Sequence, residues 1–255
     1  MITNQSKEIQ ALVGEVRDGH LLLPELQRKF VWKSTQVRDL FDSLYHQYPS
    51  GQLLVWETDD LPYSHTVSVV GVENTQKKPK LLLDGQQRIT SLASIVLGKP
   101  LLVRGKKNPI DIAFNVYTEK FEVAGPRQTK DGGWISLSKL FTQGVLPILV
   151  DLNIETKSPE ATSIFDRLQR IENIKTYKYQ VNILESLTYD EVTHIFVRIN
   201  SGGTKLNSAD LVLAQMSSRW RGITEELTSY QSAIWKRGHK LWIETGVMLR
   251  AMSAV

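Results

Sequence analysis

The chain of 255 residues contains no cysteine. Disulfides and thiolate metal sites are thereby excluded, and a reducing compartment fits. No apolar run approaches the roughly 20 residues that a membrane-spanning helix needs, and the N-terminus lacks a basic-then-apolar leader. A cytoplasmic protein without membrane contact is the expectation. No GxxxxGK[ST] string occurs, so the chain has no P-loop. Its five histidines (His20, His46, His65, His194, His239) are scattered without paired metal-ligand spacing. Strong charge of one sign is missing too. The net charge of +4 and pI near 9.1 tilt only mildly toward polyanionic partners.

What is present is an ordinary globular composition, 41% apolar and 23% charged, with length for one large domain or two small ones. The centre of the chain is Lys80 to Leu97. Leu81-Leu82-Leu83 reads as a buried strand, and Ile89, Leu92 and Val96 recur at the spacing of one helical face. Between them lies Asp84-Gly85-Gln86-Gln87-Arg88, a polar knot where a strand ends and a helix begins. Free N–H groups and the positive dipole end make that place suited to an anion, above all a phosphate. Gly85 permits a sharp turn and close approach of a ligand. Asp84 suits a divalent cation or a water, Gln86 and Gln87 a ribose, base edge or attacking water, and Arg88 phosphate oxygens. The same residues would also serve as an N-cap Asp, a turn Gly and a solvated first turn.

Upstream, the spacing predicts a helix over Ser6 to Val16 and a short strand from His20 to Pro24. Pro24 to Trp32 lacks periodicity and combines Gln27 and Arg28 with Phe30 and Trp32, which suits a ligand loop or a loop pinned by its aromatics. Ser34 is the expected N-cap of a helix with Val37, Leu40, Phe41, Leu44 and Tyr48 inward, stopped by Pro49-Ser50-Gly51, and Gln52 to Trp56 reads as a strand. Two basic loops flank the central unit: Lys77, Lys78 and Lys80 before it, Arg104, Lys106 and Lys107 after it. Each is a solvated loop or a DNA-facing surface.

Downstream, Ile110 to Tyr117 and Lys120 to Val123 form a predicted hairpin turning at Thr118-Glu119. Residues 124–133 are rich in Gly, Pro and charge, the expected seam or mobile loop, and Ser136 to Phe141 reads as a short helix. Ser158-Pro159 starts a helix with Ile164, Phe165, Leu168 and Ile171 inward. Tyr179 to Leu184 is one more strand. Thr188 to Glu191 is a capping box opening a helix with Val192, Ile195, Phe196 and Ile199 inward. Gly202-Gly203 then makes either a helix–helix turn or, with Arg198, Asn200 and Lys205, an anion contact. Trp220, Trp235 and Trp242 are expected in a core, with stacking on a nucleic-acid strand as the alternative. The pattern is still amphipathic at Val255, as in a fragment of a longer protein.

Three stretches point to one family. Pro24, Gln27, Arg28, Val31 and Trp32 fit P-x-x-Q-R-x-x-V-W, and Asp84 to Arg88 is an intact D-G-Q-Q-R. Phe196, Arg198, Asn200, Gly203, Leu206 and Asp210 fit F-x-R-[IL]-N-x-x-G-x-x-L-x-x-x-D. In this order they resemble the N-terminal domain of GmrSD-type restriction endonucleases, a ParB/sulfiredoxin-like family, over residues 8 to 220.

The resemblance implies an α+β fold, with a ParB/sulfiredoxin-like core over residues 1–125 and a mainly helical extension over 126–255. It implies defence against phage DNA bearing modified bases or backbone, with nucleoside triphosphate as substrate and a divalent metal, Mg2+, as cofactor. Carried over, Asp84, Gln86, Gln87 and Arg88 form the hydrolytic loop, with Asp84 on the metal. Gln27, Arg28 and Gly85 hold the nucleotide, and Arg198 and Asn200 close the site. Full-length relatives carry a His-Asn-His-type nuclease domain that these scattered histidines do not supply, so the nuclease belongs elsewhere in a longer protein or on a partner subunit. Three activities stay open: an NTP-hydrolysing regulatory domain, a non-catalytic DNA-recognition module, and a ParB-like DNA-nicking domain. Oligomeric state stays open as well.

Overall fold

The computed structural model describes residues 1–24, 30–58, 64–65, 80–99, 109–153, 158–200, 216, 220, 222–234 and 247–248. Its strands are β1 (Ile2–Glu8), β2 (Leu21–Pro24), β3 (Leu53–Glu57), β4 (Ser64–His65), β5 (Lys80–Asp84), β6 (Ile112–Asn115), β7 (Phe121–Val123), β8 (Trp134–Ser136) and β9 (Lys178–Glu185). Its helices are α1 (Ile9–Arg17), α2 (Ser34–Tyr45), α3 (Gln86–Val96), α4 (Pro126–Lys130), α5 (Leu137–Gln143), α6 (Val145–Asp151), α7 (Pro159–Glu172), α8 (Tyr189–Asn200) and α9 (Ile223–Ile234). The fold is α+β, as the resemblance implied.

A six-stranded mixed sheet runs in the order β1-β9-β3-β5-β2-β4. β3 lies parallel to β9 and antiparallel to β5, and β5 lies parallel to β2. Side chains alternate across the sheet. Leu53 and Val55 of β3, Leu82 of β5, and Val181 and Ile183 of β9 join the large core that holds α1, α2, α3 and α7. Leu54, Trp56, Leu81, Leu83 and Leu184 point the other way, onto Val192 and Phe196 of α8. Burial on both faces explains why β3 and β5 read as unbroken apolar runs rather than alternating ones. A second, antiparallel sheet, β7-β6-β8, sits against α2 through Tyr45, Phe114 and Phe121, whose ring centroids are 4.9–5.4 Å apart.

β9 lies beyond the expected boundary at 125/126, yet it pairs with β1 and β3 in the main sheet. The sheet therefore draws strands from both sides of that boundary. Among the described residues no helix is long and apolar enough to cross a membrane.

Several elements differ from expectation. Ser6 to Glu8 belong to β1, and the first helix starts only at Ile9. β1 is a polar edge strand held by its ladder to β9, so its side chains carry little periodic signal. Lys33, not Ser34, is the N-cap of α2, with its N–H donating to the Gln36 side chain at 2.9 Å. Tyr48 lies past the end of α2 and is exposed; Tyr45 takes the inward place. Residues 126–130 of the expected loop are helical, and β8 and α6 had no separate signal in the sequence. Phe165 and Ile199 sit at the margins of their helices' apolar stripes and are exposed, as is Trp220. Trp235 and Trp242 lie outside the described residues. Two caps match: Ser158 Oγ accepts from Ala161 N–H at 3.1 Å, and Thr188 N–H donates to Glu191 Oε2 at 2.8 Å.

Candidate functional site

β5 ends at Asp84 and α3 begins at Gln86, with Gly85 between them as the N-cap at φ 95°. This left-handed conformation suits glycine, and there is no room for more, because a Cβ would lie 2.2 Å from Leu53 Cδ2. The first helical hydrogen bond runs from Ile89 N–H to Gly85 O at 3.0 Å. The N–H groups ahead of it have no acceptor within the helix, and the positive end of the dipole lies there. Gly85 has no side chain with which to cap the helix. Asp84 is not spent as an N-cap.

Each side chain of the knot has a distinct environment. Asp84 is 44% exposed, and its Oδ2 accepts from Arg88 Nη2 at 3.2 Å. Gln86 and Gln87 are buried in the first turn. Gln87 Oε1 accepts from two backbone N–H groups, Val31 at 2.9 Å and Trp32 at 3.1 Å, while its Nε2 is buried with no acceptor among the described residues. Arg88, expected to offer its fork to phosphate, presents it to the protein. Nη1 donates to Ser50 O at 2.6 Å, and Nη2 to Gln52 O at 2.7 Å as well as to Asp84.

Gln87 thus brings two of the three signatures together, since Val31 and Trp32 close the Pro24 to Trp32 stretch. Replacing Gln87 by Leu should strand both N–H groups and cost about 2 kcal/mol. Hydrogen exchange should show the Val31 and Trp32 amides losing protection before the rest of the sheet; unchanged protection would remove Gln87 as the tie. The Gln27 and Arg28 positions lie outside the described residues. The third signature enters from the opposite face. Phe196 is buried in the cluster that also holds Leu83, the neighbour of Asp84, and Arg198 is exposed one half-turn further along α8. Asn200 ends that helix, and its side chain lies outside the described set.

The expected DNA face is placed at one residue only. Lys80 Nζ pairs with Glu57 Oε2 at 2.9 Å, at the other end of β5 from Asp84, about 13 Å away at the usual strand rise. Lys77, Lys78, Arg104, Lys106 and Lys107 lie outside the described residues. Among the described residues no three His, Asp or Glu side chains gather as a metal cage. A lone, half-exposed carboxylate nevertheless fits magnesium, which commonly takes one or two protein carboxylates together with substrate phosphates.

Sequence reasoning missed the support beneath the knot. The Ser50-Gly51-Gln52 turn, read only as the end of a helix stop and the start of a strand, is pinned from β9 and the residue before it. Ser50 Oγ donates to Tyr179 OH at 2.8 Å, Ser50 N–H to Tyr177 OH at 3.3 Å, and Asn182 Nδ2 to Gln52 Oε1 at 3.0 Å. Burial pushes the Tyr179 hydroxyl pKa up, while the bond from Ser50 and the Arg88 charge pull it the other way. The positive φ demanded of Gly51 was the one signal available, and its partner 37 residues away was not.

A curated relative found by comparison is an uncharacterized protein of Methanocaldococcus jannaschii, 27% identical over 249 aligned positions. The match covers 84% of this chain and 42% of that protein, so the chain spans less than half of its relative's length. Residues 9–217 match the family of the GmrSD restriction endonuclease N-terminal domain and contain all three signatures. The chain belongs to the GmrSD restriction endonuclease N-terminal domain family.

Proposed function

We propose that this chain binds a nucleoside triphosphate at the N-terminus of α3 and hydrolyses it. In this reading it is the regulatory domain of a restriction system directed at modified phage DNA. It gates a His-Asn-His-type nuclease that lies elsewhere in a longer protein or on a partner subunit. The observation that carries the reading is the Gln87 amide, which ties the Gln27–Arg28 signature to a strand end and helix N-terminus.

The residues divide the work as follows. First-turn N–H groups and the helix dipole take phosphate oxygens. Gln27 and Arg28, a few residues from Val31 and Trp32, supply an amide and a planar fork for phosphate or sugar. Gln87 Nε2 adds a buried donor. The Asp84 oxygen that Arg88 leaves open holds the divalent ion or orients the attacking water. A magnesium ion held by Asp84 would offset the charge of the phosphate oxygens. The water oxygen bonds the terminal phosphorus as the bond to the bridging oxygen breaks, and the water's proton leaves to base or solvent. The products are orthophosphate and the nucleoside diphosphate. Arg198 and Asn200 close the site from α8.

The test is phosphate release from ATP, GTP, CTP and UTP with magnesium, wild type beside Asp84→Asn. Turnover of one nucleotide, reduced about a hundredfold or more in the variant with its circular dichroism unchanged, is the expected result. No release, with or without DNA, sinks the reading. It would leave a DNA-recognition module, whose affinity should then fall steeply with salt.

A further inference from the structure

We propose that the Ser50-Gly51-Gln52 turn is a positioning element for Asp84 that acts through Arg88, an inference that rests on the nucleotide reading of Asp84. The guanidinium offers five N–H donors in one plane. Three are spent on protein oxygens: Ser50 O at 2.6 Å, Gln52 O at 2.7 Å and Asp84 Oδ2 at 3.2 Å. The two carbonyls flank Gly51 and grip Nη1 and Nη2 side by side, so the fork cannot swing without breaking both. Because Nη2 also holds Asp84, the turn sets where that carboxylate points.

Three further observations support the clamp. Gly51 has φ 88°, and a Cβ there would stand 2.1 Å from Arg88 Nη1 and 3.2 Å from Cζ. Glycine is required by the guanidinium as well as by the turn. The Tyr179 ring lies 6.0 Å from Arg88 Cζ, while its hydroxyl accepts from Ser50. Arg88 itself is only 15% exposed in its side chain. Its work is to hold Asp84, and nucleotide phosphates meet other donors.

The experiment uses the 255-residue chain and two readouts. The first needs no turnover: nitrogen-detected NMR of the Arg88 guanidinium and the carbon signal of the Asp84 carboxyl. Wild type should show separate, slowly rotating Nη groups. Gly51→Ala should merge them and shift the Asp84 signal, and unchanged spectra would overturn the clamp. The second is turnover of the accepted nucleotide. Gly51→Ala should lower kcat about a hundredfold, as expected for a displaced reacting group, with KM within about twofold. On an Arg88→Ala background it should cost nothing more. A double variant that loses the product of both factors would show Gly51 acting independently and overturn the proposal.

Arg88→Lys guards against a Gly51 variant that fails to fold. Lysine keeps the charge without the planar fork, so it should lose as much turnover as alanine. Retained turnover in the Lys variant would mean that charge alone matters, and would overturn positioning. Absence of turnover in wild type would remove the nucleotide reading and the catalytic consequence together, with the spectra still deciding the clamp itself.

Discussion

Gly85→Ala is expected to destabilise the protein by about 2–5 kcal/mol and to abolish function at the knot. Two costs add. Holding a non-glycine residue at φ 95° costs on the order of 1–2 kcal/mol. The new methyl would also stand 2.2 Å from Leu53 Cδ2, and Leu53 is fully buried in the main core, so overpacking adds about 1–3 kcal/mol. Relief can come only by moving Leu53 within β3 or by shifting Asp84 and the start of α3. Either movement disturbs the Arg88 fork, whose acceptor Gln52 O immediately precedes Leu53. Urea unfolding of the variant beside Gly14→Ala makes the comparison direct. Gly14 lies within α1, and a Cβ there would meet nothing within 4 Å. Equal midpoints for the two variants would contradict the strain argument.

The second large effect is expected at Glu119, where the β6–β7 hairpin is tied to α2 and α7. Its carboxylate accepts from the Tyr45 hydroxyl at 2.6 Å and from Arg170 Nη1 at 3.1 Å, and Arg167 Nε pairs with its other oxygen at 3.0 Å. Arg167 also donates to Val116 O at 2.7 Å, and the Arg170 guanidinium lies 5.0 Å from the centre of the Tyr45 ring. Glu119→Ala strands the buried Tyr45 hydroxyl's proton and loosens two arginines, for about 2 kcal/mol. Partial exposure of the carboxylate keeps the cost from being larger.

The network also makes stability depend on pH. The bond from Tyr45, followed by the charges of Arg167 and Arg170, lowers the Glu119 pKa below its ordinary 4.5, against an opposing push from burial. The unfolded chain then binds this proton more readily than the folded one. The contribution is complete above pH 4.5 and lost as pH falls through the lowered folded value. Burial, with the bond to Glu119 second, raises the Tyr45 pKa well above its ordinary 10. There the folded chain keeps a proton that the unfolded chain has shed, so stability falls as pH rises past about 10. Urea midpoints across pH 7 to 3 should decline less steeply for Glu119→Gln than for wild type. An identical decline would place the acid sensitivity elsewhere.

The strand, knot and helix at Lys80 to Leu97 were legible because local physics decides them. A triple leucine buried on both faces, a glycine at a forced turn and apolar residues at helical spacing need no distant partner to be recognised. The Ser158 cap and the Thr188–Glu191 box were legible for the same reason, since their bonds close within three residues. β1 was not, because a polar edge strand owes its existence to β9, 170 or more residues away. Tyr48 failed because α2 ends at Tyr45, before reaching it, and Phe165 because it lies at the edge of its stripe.

The sequence by itself determined the polar knot, its place between strand and helix, and the family to which its three signatures point. Tertiary structure alone decided what those side chains do. The notion of Arg88 as a phosphate fork follows from its chemistry, but Ser50 O and Gln52 O occupy that fork, and no spacing rule joins residues 36 to 38 positions apart. Gln87 likewise looks ready for a ligand, yet its oxygen is committed to Val31 and Trp32. A side chain's capacity for hydrogen bonds is written in its identity. Which partner satisfies that capacity depends on which backbone groups the fold brings within about 3 Å.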